Sequence, residues 1–87
     1  MDKILLLKAL ADETRLKIAQ YLLSGKKNAS SIVEHIGKSQ PNVSLALKQL
    51  YLVGIVGQEK SGREIFYSLN NPAKVKSLIE ILEVIGK

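Results

Sequence analysis

The 87-residue chain contains no cysteine and one histidine. Without cysteine there are no disulfides, thiolate metal sites or thiol redox switches. One histidine and no gathered cluster of carboxylates leave no base–nucleophile pair to assemble, so an enzyme is not expected. The acids are spread along the chain, whereas a metal-dependent nuclease needs several around one ion. Long apolar runs are missing too. None exceeds the four residues of Ile4-Leu5-Leu6-Leu7, far short of a membrane span. The first residues lack the charged-then-apolar layout of a signal peptide. These absences make a soluble cytoplasmic protein with no membrane partner the expectation.

One stretch lacks a charge of one sign. From Ser39 to Val53 there is no acid. Ser39 can cap the free N–H groups of a helix, and Pro41 sits in the first turn, where no intrahelical donor is lost. Val43, Ala46, Leu47 and Leu50 follow at helical spacing as one apolar stripe. The opposite face carries Ser44, Leu45 and Lys48, with Gln40, Asn42 and Gln49 beside it. An ordinary surface helix shows Glu–Lys pairs there. Amides, hydroxyls and a lone cation can instead bond base edges and phosphates without repelling them. The pattern points to a DNA-recognition helix over 40–53.

Charge agrees. The net charge is +5 and the pI about 9.6, which favours a polyanionic partner. Between Gly25 and Arg63 stand Lys26, Lys27, Lys38, Lys48, Lys60 and Arg63 against Glu34 and Glu59, so most of the excess lies mid-chain. A solvated surface is the plainer reading of the same lysines.

A chain this short forms one domain, 1–87, with a modest core. No internal repeat or linker divides it. Asp2 can cap a first helix to about Ala11, whose Ile4, Leu5, Leu6, Leu7 and Leu10 cover more than half its circumference. Asp12 begins a second helix with apolar rows Leu16/Ala19/Leu23 and Ile18/Leu22. Ser24 to Asn28 stops it, Gly25 suiting a left-handed C-cap and Asn28 the next N-cap. The third helix, Ala29 to Ile36, is short. Gly37 then turns the chain into the recognition helix, completing a helix-turn-helix pattern. Helical hairpins with no nucleic-acid role share this periodicity.

Gly54 ends the recognition helix. Over 55–69 a β-hairpin is predicted, with Lys60-Ser61-Gly62-Arg63 as its turn and Ile65, Tyr67 and Leu69 alternating with Glu64, Phe66 and Ser68. Lys60 and Arg63 at the tip suit a wing on the phosphate backbone, although Glu59 and Glu64 would oppose this if they pointed the same way. A hairpin that merely covers the core is the alternative.

Asn71-Pro72 starts a last helix running to about Ile85. Val75, Leu78, Ile79, Leu82 and Ile85 form its stripe, broadened by Ile81 and Val84. This is more apolar surface than a small core can use. At roughly 1.5–3 kcal/mol per buried side chain, a second copy is the economical cover. A two-fold homodimer is therefore expected through Ile4, Leu5, Leu7, Leu78, Ile79, Leu82 and Ile85. Folding back onto its own domain is the alternative for this helix.

Three motifs can now be set against a known family. They are Leu7-Lys8-Ala9-Leu10-Ala11-Asp12-Glu13-Thr14-Arg15-Leu16-Lys17-Ile18; Ser39-Gln40-Pro41-Asn42-Val43-Ser44 with Leu47-Lys48-Gln49-Leu50; and Gly62-Arg63 leading to Phe66-Tyr67-Ser68-Leu69. In order and spacing they resemble the ArsR/SmtB family of small bacterial and archaeal winged-helix repressors. The resemblance implies a mainly α, α+β winged helix-turn-helix of order α-α-α-α-β-β-α, dimerising through its first and last helices. It also implies that the fourth helix enters the major groove of a pseudo-palindromic operator and the wing touches flanking DNA. Ser39, Gln40, Asn42, Ser44 and Lys48 match the DNA-contacting part, and Lys38, Leu45, Lys60 and Arg63 complete the candidate set.

Two features depart from the family. Leu45-Ala46 stands where many members carry His-His, and Leu45 could meet a thymine methyl. Leu52 stands where the family often has an exposed charge, with no functional account. Metal-responsive members use a Cys-x-Cys pair on the third helix, or Asp and His on the last. Here Asn28, Ala29, Ser30 and Ser31 occupy the former, and the latter has no His or Asp. Glu80 and Glu83 are too few for a transition metal. No metal or other cofactor is therefore expected, and no inducer is indicated. His35 lies off the Ile32/Val33/Ile36 face and is read as solvated, with a phosphate contact as the lesser option. The competing function is a winged-helix module that docks a protein through its last helix and binds no DNA.

Overall fold

The computed structural model describes residues 3–86, so the Asp2 cap lies outside the described residues. The elements are α1 (Lys3–Leu10), α2 (Glu13–Leu22), β1 (Lys27–Asn28), α3 (Ala29–Ile36), α4 (Gln40–Leu52), β2 (Val56–Ser61), β3 (Glu64–Leu69) and α5 (Pro72–Ile85). The predicted order omitted β1, so the sheet has three antiparallel strands, β1-β3-β2, where two were expected. The omission has a physical reason. Two residues carry no periodicity, and β1 exists only because Lys27 and Asn28 find Tyr67 and Phe66 across the sheet.

The helix starts follow their capping chemistry. Asp12 accepts from the Arg15 N–H at 3.0 Å, Asn28 from Ser31 at 2.8 Å, Ser39 from Asn42 at 3.4 Å and Asn71 from Lys74 at 3.2 Å. Each cap is worth about 1 kcal/mol. α2 is central, packing on α1, α3, α4, α5 and β3. Its buried side chains are Ile18, Ala19 and Leu22. Leu23, expected in a core row, is instead the helical C-cap of α2 and is exposed. Leu10, Ile32, Val43, Leu50 and Val56 complete the best-buried part of the core around Ile18.

The hairpin turn lies one residue later in the chain than the expected Lys60–Arg63. Ser61 pairs with Glu64, leaving Gly62-Arg63 as a two-residue loop. Gly62 has φ +62° and Arg63 a negative φ, the sign pattern of a type II′ turn, which suits the strand twist. The period-two reading holds only at the base of the wing. Leu69 is buried and Tyr67 half-buried, but Ile65 is exposed near the tip, where the core no longer reaches, and Phe66 is half-buried. Among the described residues no helix is long and apolar enough to cross a membrane.

Both terminal helices keep an uncovered apolar side. Leu6, Ala9 and Leu10 of α1 and Val75, Leu78 and Ile79 of α5 face the core. Ile4 is 62% exposed, Leu5 51%, Val84 76% and Ile85 74%. Leu7 and Leu82 are partly covered. Of the residues expected at a dimer contact, Leu78 and Ile79 are thus already packed within the protomer, and Ile81 and Val84 lie open instead.

Candidate nucleic-acid interface

α3, a tight turn and α4 form the helix-turn-helix. Gly37 closes α3 in the left-handed conformation, φ +73°, and its N–H bonds Val33 O at 3.1 Å. A side chain at this φ is strained by Cβ–carbonyl contact. Lys38 is exposed, and Ser39 opens α4 with Pro41 in the first turn.

α4 divides as its sequence suggests. Val43, Ala46, Leu47 and Leu50 are buried, whereas Gln40, Asn42, Ser44, Leu45, Lys48 and Gln49 are exposed. At 100° per residue, Pro41, Leu45, Lys48 and Leu52 point straight away from the core. Gln40 and Ser44 flank that row on the wing side, bordering a groove of about 260 Å³ shared with Ser30, Val33 and Tyr67. Gln49 flanks it on the α2 side, where its Oε1 accepts from Arg15 Nη1 at 2.6 Å. Leu45, on the outward row, is 56% exposed.

The cations are available. Among the described residues the ion pairs are Lys17–Glu13 at 3.3 Å and Lys26–Glu59 at 3.4 Å, so Lys38, Lys48, Lys60 and Arg63 form none. The two acids that weakened the wing reading have partners. Glu59 pairs with Lys26, and Glu64 accepts from Asn28 Nδ2 at 2.7 Å. Lys60 and Arg63 stay unpaired near the tip, while Glu64, drawn toward Asn28, keeps its charge beside them.

Reading the sequence in order misses three features. Arg15 belongs to the family motif but shows no sign, in its spacing, of the link to Gln49. Tyr67, read as a core residue of the hairpin, also borders the groove beside Gln40. His35 is exposed but not merely solvated, because its ring stacks on Tyr21 at 3.8 Å and 7°. Lys27 lies 5.2 Å from the same tyrosine ring. Residues 21 and 35 sit on different helices, so no local pattern brings them together. No three His, Asp or Glu side chains among the described residues are grouped to hold a metal ion.

A helix-turn-helix with an acid-free outward face, followed by a cation-tipped hairpin, defines a winged helix-turn-helix DNA-binding protein. The family model "Bacterial regulatory protein, arsR family" matches residues 12–57, which run from the α2 cap into β2. The chain belongs to that family. The relatives are regulators of transcription, and so is this chain's class; none of this is enzyme chemistry.

A protein named "Probable mercury resistance operon repressor" from Streptomyces lividans is 43% identical over 65 residues, covering 75% of this chain but only 52% of that one. The transcriptional repressor SdpR of Bacillus subtilis is 35% identical over 80 residues, covering 92% of this chain and 89% of its own length. Among solved structures, the homodimeric winged helix-turn-helix DNA-binding domain Mb0332 of Mycobacterium bovis superposes with a TM-score of 0.79 at 25% identity, covering 95% of this chain and 76% of that one.

Proposed function

We propose that residues 1–87 act as one domain, a homodimeric transcriptional repressor that occupies a pseudo-palindromic operator without a resident metal. The observation that carries this is the outward face of α4, which holds amides, hydroxyls, Leu45 and an unpaired Lys48, with no acid between Ser39 and Val53. Such a face can enter a major groove without repelling phosphate.

In this reading Gln40, Asn42, Ser44 and Leu45 select bases, and Lys38, Ser39 and Lys48 hold the helix on the backbone. Lys60 and Arg63 reach flanking phosphates. The open surfaces of α1 and α5, Ile4, Leu5, Ile81, Val84 and Ile85, meet a second copy, with Leu7 and Leu82 at their margin. Two-fold symmetry then sets the recognition helices about 34 Å apart, on successive major grooves. Bound this way at the nucleoid, the dimer excludes polymerase sterically.

Selection from a random duplex pool tests this. The expected product is a two-fold symmetric consensus, with log affinity falling linearly as log salt rises. Equal affinity for random and selected duplexes at moderate salt would overturn the sequence-specific reading. If no duplex is retained even at low salt, the chain is a protein-docking module that uses the open α5 face.

A further inference from the structure

α1 ends at Leu10, so its last carbonyls lack intrahelical donors. Ala9 O finds one outside the helix, Arg15 Nε at 2.6 Å. The same guanidinium donates from Nη1 to Gln49 Oε1, also at 2.6 Å. Arg15 therefore ties the end of α1 to the side of α4 through one planar group. Its own place is set by Asp12, which accepts the Arg15 N–H, and by the Leu16 N–H bond to Asp12 O at 2.8 Å.

This link joins two surfaces with different jobs. α1 packs chiefly on α2 and α5, and α4 on α2, α3 and β2, so α2 lies between them. α1 carries Ile4 and Leu5 toward the partner copy, while α4 carries the DNA face. A guanidinium holds its donors at fixed angles, so the directions to Ala9 and Gln49 are not independent. An ammonium on a flexible stem could satisfy one acceptor without constraining the other.

We propose that Arg15 is a positioning residue that locks the recognition helix to the dimerising helix and so fixes the separation at which two half-sites are read. This rests on the dimeric DNA-binding reading above. It adds that half-site spacing is enforced inside each protomer by the Ala9–Arg15–Gln49 chain of bonds. A merely stabilising arginine would change the melting temperature and leave spacing preference alone.

Three variants separate the possibilities. Arg15→Met keeps the apolar stem and drops both bonds. Arg15→Lys keeps a charge without the fork. Gln49→Ala drops only the tie to α4. Each is measured, at one fixed salt concentration, on a single half-site, on two half-sites at the selected spacing, and on duplexes with one base pair added or removed.

In Arg15→Met, loss of both bonds is expected to weaken optimal-spacing binding about tenfold, while half-site affinity stays within about twofold and the dimer persists in sedimentation. Preference for the optimal over the shifted spacing should shrink by the same factor. Arg15→Lys should follow Arg15→Met.

An unchanged spacing profile in folded, dimeric Arg15→Met and Gln49→Ala would overturn the proposal. So would equal losses on half-site and full duplex, which would mark direct DNA contact. If Arg15→Met does not fold, Arg15→Lys decides, because it leaves the DNA face of α4 untouched and removes only the fork. Failure of the dimeric DNA-binding reading shows itself separately, as a wild-type protein that prefers no two-half-site duplex, and it removes this proposal as well.

Discussion

Asn28 Nδ2 donates to Glu64 Oε1 at 2.7 Å, while Asn28 Oδ1 accepts from the Ser31 N–H at 2.8 Å. One amide thus caps the first helix of the helix-turn-helix and ties it to the wing. Asn28→Ala should cost about 1–2 kcal/mol, lowering the melting temperature by roughly 4–16 °C in a domain this small. Asn28→Asp keeps the cap acceptor but sets a carboxylate against Glu64. It should also melt early, and adding Glu64→Gln should restore most of the loss. A thermal melt of the single and double variants checks the pair.

The unpaired cations predict how binding responds to salt. Arg63→Ala or Lys48→Ala should weaken binding to every sequence alike and reduce the log–log salt slope by about one. Gln40→Ala should leave the slope nearly unchanged and relax selection at one base pair, where a good contact discriminates by about 1–3 kcal/mol. Titrations of selected and scrambled duplexes at several salt concentrations distinguish these responses.

Exposure within the protomer separates assembly from folding. Leu5→Glu and Val84→Glu alter side chains that are open in the protomer. They should give a folded monomer, seen as halved mass in sedimentation with helical circular dichroism retained. Leu78 is buried in its own protomer. Leu78→Ala should lower stability by about 2–5 kcal/mol.

The turn between α3 and α4 has room for a side chain but the wrong backbone for one. Nothing lies within 4 Å of a Cβ placed on Gly37, and its φ is +73°. Gly37→Ala should therefore cost about 1–2 kcal/mol of unfolding free energy from backbone strain. Gly37→Asn should cost less, because asparagine tolerates this conformation. Urea denaturation of the two variants gives the order.

Local chemistry made much of this molecule legible in the sequence. The caps at Asp12, Asn28, Ser39 and Asn71 depend on residues three positions apart, and the core stripe of α4 depends on one helix's period. Both are properties of neighbouring residues, so they could be read without knowing the fold. The acid-free flank of α4 was equally plain, because charge needs no partner to be counted.

Tertiary structure decided whatever depends on residues far apart in the chain. β1 became a strand only when Lys27 met Tyr67. Leu78 and Ile79, which share a stripe with Ile85, were taken by the protomer's own core, which does not extend to Val84 and Ile85. Glu59 gained a counter-charge only when Lys26 came beside it, and Glu64 was drawn toward Asn28 while keeping its own charge. The short bonds from Arg15 to Ala9 and Gln49 likewise exist because packing on α2 brings three helices within reach of one guanidinium. The sequence by itself determined where helices begin and which face of α4 is polar, because those are short-range facts. The fold alone determined which apolar surface stays open and which charges stay free, because burial and pairing are settled by distant neighbours.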